Sequence, residues 1–187
     1  MNRTAIVVSL VFVGVLGILA FVIGGSYISA FNRGNVMEQQ IKAQYEQNQN
    51  VLAQYGQKVQ EIASVPAMYR DDLKEVVTAA MQGRYGADGS KAVFQWIKEH
   101  NVNFDSTLYV KVQQTIEAGR NQFQNEQEKL IDVKRQYETQ LGYFWGGMWL
   151  RIAGYPKIKL DDYKVVKTDA AVEAFTAGKE KGPIKLR

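Results

Sequence analysis

The fold of this chain is decided by Met37–Met81, MEQQIKAQYEQNQNVLAQYGQKVQEIASVPAMYRDDLKEVVTAAM, where apolar residues recur at alternating steps of three and four. That spacing places them on one face of an α-helix and is typical of a heptad seam along a partner helix. Asn48 and Pro66 fill two gaps, and an asparagine in a seam would specify its register. We predict one long helix over Val36–Gln82, kinked at Pro66, with two abutting helices as the alternative. The seam consists of Ile41, Tyr45, Leu52, Tyr55, Val59, Ile62, Tyr69, Leu73, Val76 and Ala80.

An uncharged apolar run, Ala5–Ile23 (AIVVSLVFVGVLGILAFVI), precedes this stretch, and Gly24–Phe31 continues its apolar character. Crossing a bilayer core roughly 30 Å thick takes about 20 such residues, so we predict a single membrane-spanning helix. A cleaved signal peptide is the main alternative, with a weak cleavage site at Gly24-Gly25-Ser26. The apolar region of a signal peptide is usually only about 7–15 residues long, which favours a retained anchor here. A buried helix of a soluble protein is the third interpretation of the run.

The two ends of the apolar run carry balanced positive charge. Arg3 and the terminal amine lie before it, while Arg33 and Lys42 lie after it. The positive-inside rule therefore favours neither orientation in the membrane. Gly34 follows the run, and because glycine tolerates many backbone conformations, we predict a hinge there between the anchor and the helical domain.

A second seam follows after a connector. The connector contains Gly83–Gly89 (GRYGADG), predicted as a turn because of its three glycines, and a short helix over Lys91–His100. Asp105 or Ser106 is suited to cap the next helix. The connector is about twenty residues long, and the two long elements most simply fold back as an antiparallel pair, with the short helix packing across one end. The second seam consists of Leu108, Val112, Ile116, Gly119, Phe123, Leu130, Val133, Tyr137, Leu141 and Phe144.

These patterns predict an all-α fold in which an N-terminal transmembrane helix leads into a long antiparallel helical hairpin or bundle. Runs of β-branched residues in period two are missing outside the apolar run, which argues against a sheet. We assign residues 1–33 to the anchor and its juxtamembrane hinge, and residues 34–156 to an elongated helical domain. Residues 157–187 form a charged tail with one short helix predicted over Asp169–Ala177.

An aromatic cluster, Tyr143–Trp149 (YFWGGMW), lies near the end of the second seam. Aromatic residues with a polar tip favour membrane–water interfaces, and exposed aromatic clusters often mark binding surfaces. The alternative is that the cluster plugs the end of the bundle, with Gly146 and Gly147 allowing close helix approach. Gly154-Tyr155-Pro156 is expected to end this helix. The candidate interaction surface consists of Tyr143, Phe144, Trp145, Met148 and Trp149.

Composition argues against several classes of function. The chain has no cysteine and a single histidine, His100, so thiolate metal sites and multi-histidine clusters are excluded, and no cofactor is expected. His100 lies at the end of the predicted short helix, and a histidine near a helix C-terminus is commonly satisfied there. The net charge is only +4, and basic and acidic residues are interspersed along the chain. Nucleic-acid-binding proteins usually concentrate lysine and arginine on one face. The glycine-rich turn matches no nucleotide motif. An enzyme with dispersed carboxylates is a minority alternative, carried by Asp71, Asp72, Glu75 and Glu126.

Several of these segments resemble the LemA family of bacterial membrane-anchored helical proteins. Gln40–Tyr45, followed by Asn50-Val51-Leu52, is similar to that family's QIDVQL…DLI stretch, although Gln47-Asn48 stand where it has paired arginines. The resemblance covers residues 27–165 and is carried further by Val77–Ala80, Asn125-Glu126, Arg135–Tyr137, Phe144-Trp145 and Gly154-Tyr155. It implies an antiparallel helical domain on a single-pass anchor in the bacterial inner membrane. It implies no particular activity.

The sequence therefore predicts a membrane-anchored, non-enzymatic helical scaffold or adaptor. Its expected partners are the lipid bilayer and either another protein or a second copy of the chain, which the heptad seams could pair. A secreted helical binding protein, released by signal cleavage, is the alternative function.

Overall fold

The computed structural model describes residues 3–63, 69–85, 89–100, 106–167, 172 and 175–178. Its helices are α1 (Arg3–Ala63), α2 (Arg70–Met81), α3 (Gly89–His100), α4 (Ser106–Gly142) and α5 (Phe144–Ile152), followed by a short 3-10 helix at Leu160–Asp162. No strand occurs among these described residues, and the prediction of an all-helical fold is confirmed. The long apolar helix at the N-terminus is also as predicted.

The predicted hinge at Gly34 is wrong, because α1 continues through that residue without a break. Gly34 is buried, and a Cβ atom at this position would lie 2.6 Å from ring atoms of Tyr155. The glycine therefore serves the close approach of an aromatic ring rather than a change of backbone direction.

The predicted single helix over Val36–Gln82 is replaced by two helices, the alternative considered above. The first ends at Ala63 and the second begins at Arg70. Pro66, where the kink was predicted, lies outside the described residues. A proline lacks the amide proton that an interior helical position needs, which is the physical reason to expect two helices here.

The buried face of α1 departs from a strict heptad seam. Ile41, Asn48 and Val59 are buried as predicted, but Val51 and Ala63 are buried in preference to their seam neighbours, which are half-buried. Asn48 and Val59 are eleven residues apart, and Ile41 and Ala63 are separated by twice that spacing. Eleven residues in three turns correspond to 3.67 per turn, close to an undistorted α-helix. A seven-residue repeat therefore drifts off the buried stripe along a helix of this length.

The chain divides into two compact units, and α1 and α4 each contribute to both. The first unit combines Met1–Lys42 with Asp132–Tyr163 and includes α5. The second combines the described residues of Ala43–Ile131 and of Lys164–Arg187, and includes α2 and α3. Both units contain parts of the predicted segment 34–156 and of the predicted segment 157–187.

In the first unit α1 and α4 run antiparallel. Arg33 Nη1 donates to Gln140 Oε1 at 3.3 Å, and Tyr137 OH donates to Glu38 Oε1 at 2.7 Å. The residue number thus rises along one helix as it falls along the other, as the second seam predicts.

The second unit has the same antiparallel pairing and contains the main apolar core. Gln44 Nε2 donates to Glu126 Oε2 at 2.7 Å, and Tyr55 OH donates to Gln122 Oε1 at 3.2 Å. Gly119 is buried where the second seam places it, beside the ring of Tyr55. Helices α2 and α3 close the core, whose buried members are Val59, Ala63, Leu73, Val77, Ala80, Met81, Val93, Ile97, Val112 and Ile116.

Helix α2 ends at the predicted glycine turn. Gly83 has a φ of 80°, and the amide of Arg84 donates to the carbonyl of Ala79 at 3.0 Å. This is a Schellman motif, which satisfies carbonyls that the last helical turn leaves open.

Part of the predicted charged tail is bound along the chain. Lys134 Nζ donates to the carbonyl of Tyr163 at 2.8 Å in the first unit, and the amide of Val166 donates to Gln127 Oε1 at 2.9 Å in the second. Of the predicted helix over Asp169–Ala177, Val172 and residues 175–177 are helical, and the rest lies outside the described residues.

Candidate functional site

The apolar beginning of α1 is exposed along its length. Its most apolar window of 18 residues is 0% buried, and by length and composition this part of the helix could cross a membrane. The large side chains from Ile6 to Ile23 are all exposed, including Phe21 at 82%. A core helix of a soluble domain would have these side chains covered, whereas here they are exposed among the described residues.

Helix α5 begins at a sharp break after α4. Tyr143 adopts an extended conformation with φ −66° and ψ 140°, so α4 ends at Gly142 and α5 starts at Phe144. The amide of Gly147 donates to the carbonyl of Tyr143 at 2.7 Å. A Cβ atom on Gly147 would collide with the carbonyl oxygen of Leu141. Gly147 therefore allows α5 to approach another helix closely, as predicted, and that helix is the C-terminal end of α4.

One face of α5 packs on α1 just beyond the apolar run. Leu150 is buried in a small core with Ala30, Ala153 and Tyr155, and Trp149 is half-buried against the same core. A shallow groove runs between the two helices, lined among others by Val22, Ser26 and Ala30 of α1 and by Gly146, Trp149 and Leu150 of α5. Helix α5 therefore lies beside the C-terminal end of the apolar run.

The N-terminal edge of α5, together with the preceding Tyr143, is exposed. Tyr143 is 53% exposed, Phe144 78% and Trp145 67%, and the last two rings meet edge to face with centroids 5.1 Å apart. Met148 and Trp149 are half-buried. The predicted interaction surface is thus divided, with three members in contact with solvent and two packed partly against the protein. Phe144 was also predicted as the last seam residue of α4; that prediction is wrong because the break at Tyr143 takes it out of the seam.

The segment after α5 returns to α1 through several specific contacts. Gly154 has a φ of 84°, and the amide of Tyr155 donates to the carbonyl of Leu150 at 3.0 Å, which ends α5 as predicted. Tyr155 OH donates to the carbonyl of Phe31 at 3.0 Å. The ammonium group of Lys157 lies 4.4 Å from the ring centroid of Phe31 and 4.5 Å from that of Tyr155. These contacts hold α5 in a fixed position on α1.

Glu38 is the central acceptor of this return segment, and it was not predicted. Its Oε1 accepts hydrogen bonds from Tyr137 OH at 2.7 Å, from the amide of Lys157 at 2.6 Å and from the amide of Ile158 at 3.3 Å. Glu38 is only 4% exposed. Burial, and then the hydrogen bond to Glu38, raise the pKa of Tyr137, so the phenol stays a donor. One sequence signal was present, since Glu38 lies three residues before Ile41 and so continues the seam.

The carboxylates considered for catalysis do not form a buried pair. Glu126 is 7% exposed and accepts from Lys129 Nζ at 2.9 Å and from Gln44 Nε2 at 2.7 Å. The bond from Lys129, followed by that from Gln44, lowers the pKa of Glu126. In the parts of the chain that the structure describes, no group of three His, Asp or Glu residues could hold a metal ion. The other three candidates, Asp71, Asp72 and Glu75, are exposed on α2.

His100 is held at the end of α3 by neighbouring side chains. Its Nδ1 lies 2.8 Å from the carbonyl oxygen of Trp96, and its ring stacks on Trp96 with centroids 4.1 Å apart. The ring of Tyr69 meets it edge-on at 4.8 Å. The histidine thus satisfies a carbonyl in the last turn of its helix, as the sequence suggests.

Comparisons with protein-family models, with curated proteins and with solved structures give no match. The resemblance of residues 27–165 to the LemA family therefore stays a prediction. The contacts of the chain itself are the basis for a proposed function.

Proposed function

We propose that this protein is a single-pass, membrane-anchored helical scaffold, similar to LemA proteins, that acts by binding another protein or a second copy of itself. The observation that carries the proposal is the exposure of the whole apolar run on a helix that continues into both packed units. Covering one large aliphatic or aromatic side chain is worth about 1.5–3 kcal/mol, so many such side chains in water are strongly unfavourable. Lipid is the covering that fits an uncharged run of this length.

The packed units support a binding role rather than a reaction. In the described residues, Glu126 is engaged by a lysine and a glutamine, and the carboxylates of α2 are solvated. The antiparallel pairing of α1 and α4 gives each unit a helical face with polar side chains outward, which suits reversible protein contacts. A second copy of the chain is one candidate partner, because heptad seams of this kind also pair between chains.

Alkaline carbonate extraction of membranes carrying the full chain, combined with intact mass analysis, tests the anchor. We expect the protein in the pellet, released only by detergent, with a mass that includes the apolar run. Leu16→Lys places a charge near the centre of the span, at a cost of about 2.5–3.5 kcal/mol, and should shift protein into the supernatant. Gln136→Lys, an exposed position on α4, is the matched control and should stay in the pellet.

Two results would contradict the anchor. A mature protein that lacks the apolar run and is released from the membrane would establish the secreted alternative. An unprocessed chain that is monomeric in buffer without detergent would show that the run is covered within the protein. Self-assembly is tested separately, since a strict monomer by light scattering in detergent would exclude a second copy as the partner.

A further inference from the structure

The position of α5 along α1 can be compared with the thickness of a bilayer. Its groove residues begin at Val22, inside the apolar run, and its core contact lies at Ala30. A helix rises 1.5 Å per residue, so the distance from Val22 to Ala30 is about 12 Å along the axis. The headgroup region occupies roughly 5–8 Å on each side of the hydrocarbon core. If Ile6–Ile23 crosses the core, the contacts of α5 with α1 begin at the end of the core and reach about 10 Å beyond it, a distance that includes the headgroup region.

The exposed edge of α5 has the composition of a membrane interface. Tyr143, Phe144 and Trp145 are aromatic, adjacent and more than half exposed. Tyrosine and tryptophan are enriched at this level of membrane proteins because their rings are apolar and their polar atoms can remain hydrated. Arg33 and Arg151 are exposed nearby, each with its guanidinium bound to the end of α4, at Gln140 and Leu141 respectively. Cations here would lie within reach of lipid phosphates.

We propose that α5 is an interfacial helix whose exposed aromatic edge, Tyr143 to Trp145, inserts into the headgroup region of the same bilayer that α1 spans. The proposal rests on the proposed anchor. Lipid is favoured over a protein partner because α5, which carries the exposed aromatic residues, borders a groove that begins at Val22, inside the exposed apolar run of the first unit. A bilayer that covers the run would therefore reach α5. The consequence is a second membrane contact, which would restrict the tilt of the first unit relative to the membrane.

The absence of cysteine from the chain allows single, specific labels. Phe144→Cys and the control Gln136→Cys, both at exposed positions of the first unit, are labelled with a polarity-sensitive nitrobenzoxadiazole dye. Position 136 is next to Tyr137, whose OH binds Glu38. Glu38 lies eight residues beyond Ala30, or about 12 Å further from the apolar run along α1, so the control label is expected to lie outside the membrane. The full-length protein is reconstituted in vesicles of phosphatidylcholine and phosphatidylglycerol. We expect the label at 144 to emit at shorter wavelength, to be quenched by nitroxide on the upper acyl chain, and to be several-fold less accessible to iodide than the label at 136.

A second measurement keeps Phe144 intact. In the variant Trp96→Phe/Trp149→Phe, Trp145 is the only tryptophan, and lipids brominated near the top of the acyl chain should quench its emission. Adding Trp145→Phe and Gln136→Trp to this variant moves the single tryptophan to position 136, where little quenching is expected. The same preparations are extracted with carbonate to establish whether the protein is anchored.

The outcomes separate the two proposals. If the protein resists carbonate but the label at 144 is as accessible to iodide as that at 136, the interfacial role of α5 is wrong and the anchor stands. If the label at 144 is shielded from iodide but not quenched by lipid nitroxide, and Trp145 is not quenched by brominated lipid, a protein contact covers α5 and the lipid proposal is overturned. If carbonate releases the protein, the anchor fails and the interfacial role fails with it.

Discussion

Glu38→Ala is expected to release the segment that follows α5 from α1. The carboxylate oxygen Oε1 is the common acceptor of Tyr137 OH, of the Lys157 amide and, at a longer 3.3 Å, of the Ile158 amide. With Glu38 only 4% exposed, water does not readily replace the lost acceptor. A buried donor left without a partner costs about 1–3 kcal/mol. Because Lys157 is itself exposed and can bind water after local opening, we expect a loss of about 2–4 kcal/mol in local stability.

Two gentler substitutions divide this loss into its parts. Glu38→Gln retains an amide oxygen that can accept the same bonds but removes the charge, and charge-assisted bonds are about twice as strong as neutral ones. About half of the loss is therefore expected. Tyr137→Phe removes one donor and leaves both amide bonds, which should cost about 1–2 kcal/mol. Combining Tyr137→Phe with Glu38→Ala should cost less than the sum of the two, because both changes remove the same bond.

Hydrogen exchange on the full chain in detergent micelles measures this directly at the amides of Lys157 and Ile158. Each 1.4 kcal/mol corresponds to a tenfold change, so Glu38→Ala should accelerate exchange by about 30- to 1,000-fold. Glu138→Ala removes an exposed carboxylate from α4 in the same unit and should leave both amides unchanged. Equal exchange in the two alanine variants would refute the reasoning. So would wild-type amides that already exchange at the rate of an unfolded chain.

Three further changes test contacts in the second unit. Asn48→Leu should raise the thermal unfolding midpoint. Asn48 is 3% exposed, neither of its polar side-chain atoms has a partner among the described residues, and an unpaired buried group costs about 1–3 kcal/mol. A lower midpoint would count against this reasoning. Gly119→Val should lower the free energy of unfolding in denaturant by about 1–3 kcal/mol, because a Cβ atom at this position would lie 2.5 Å from Met81 Sδ. Gly142→Ala is the control and should have little effect, because a Cβ atom there would have no neighbour within 4 Å. Similar losses at both positions would contradict the packing argument. The pKa of Glu126 is lower in the folded chain than in the unfolded chain, so the unfolded chain binds a proton at Glu126 more readily. The stabilisation that ionised Glu126 provides should therefore be lost as pH falls below about 4.5, and the difference in unfolding free energy between wild type and Glu126→Gln should shrink there. A difference that does not change with pH would argue against this.

The parts of the fold that were predictable from the sequence are those set by neighbouring residues. The helix ends at Gly83 and Gly154 follow from the ability of glycine to adopt positive φ, and both close Schellman motifs. The long helices were predictable as well, because the spacing of apolar residues in the seams follows the period of an α-helix. Gly34 shows the limit of such local signals. The same freedom suggested a hinge, but its neighbour in space is Tyr155, far along the chain, and only the fold shows that the missing side chain makes room for a ring.

The candidate surface depends on a similar long-range effect. A seam extended from Leu141 to Phe144 assumes one unbroken helix, in which the aromatic residue would face the partner. Close contact between Gly147 and the carbonyl of Leu141 instead allows the chain to turn at Tyr143 and begin a new helix. The new register brings Leu150 onto α1 and leaves Phe144 exposed at 78%. The exposure of the aromatic edge is thus a consequence of a glycine three residues away, and it occurs beside the part of α1 where an apolar surface is already uncovered. Two uncovered apolar surfaces in one unit are more simply explained by one covering medium than by two separate partners.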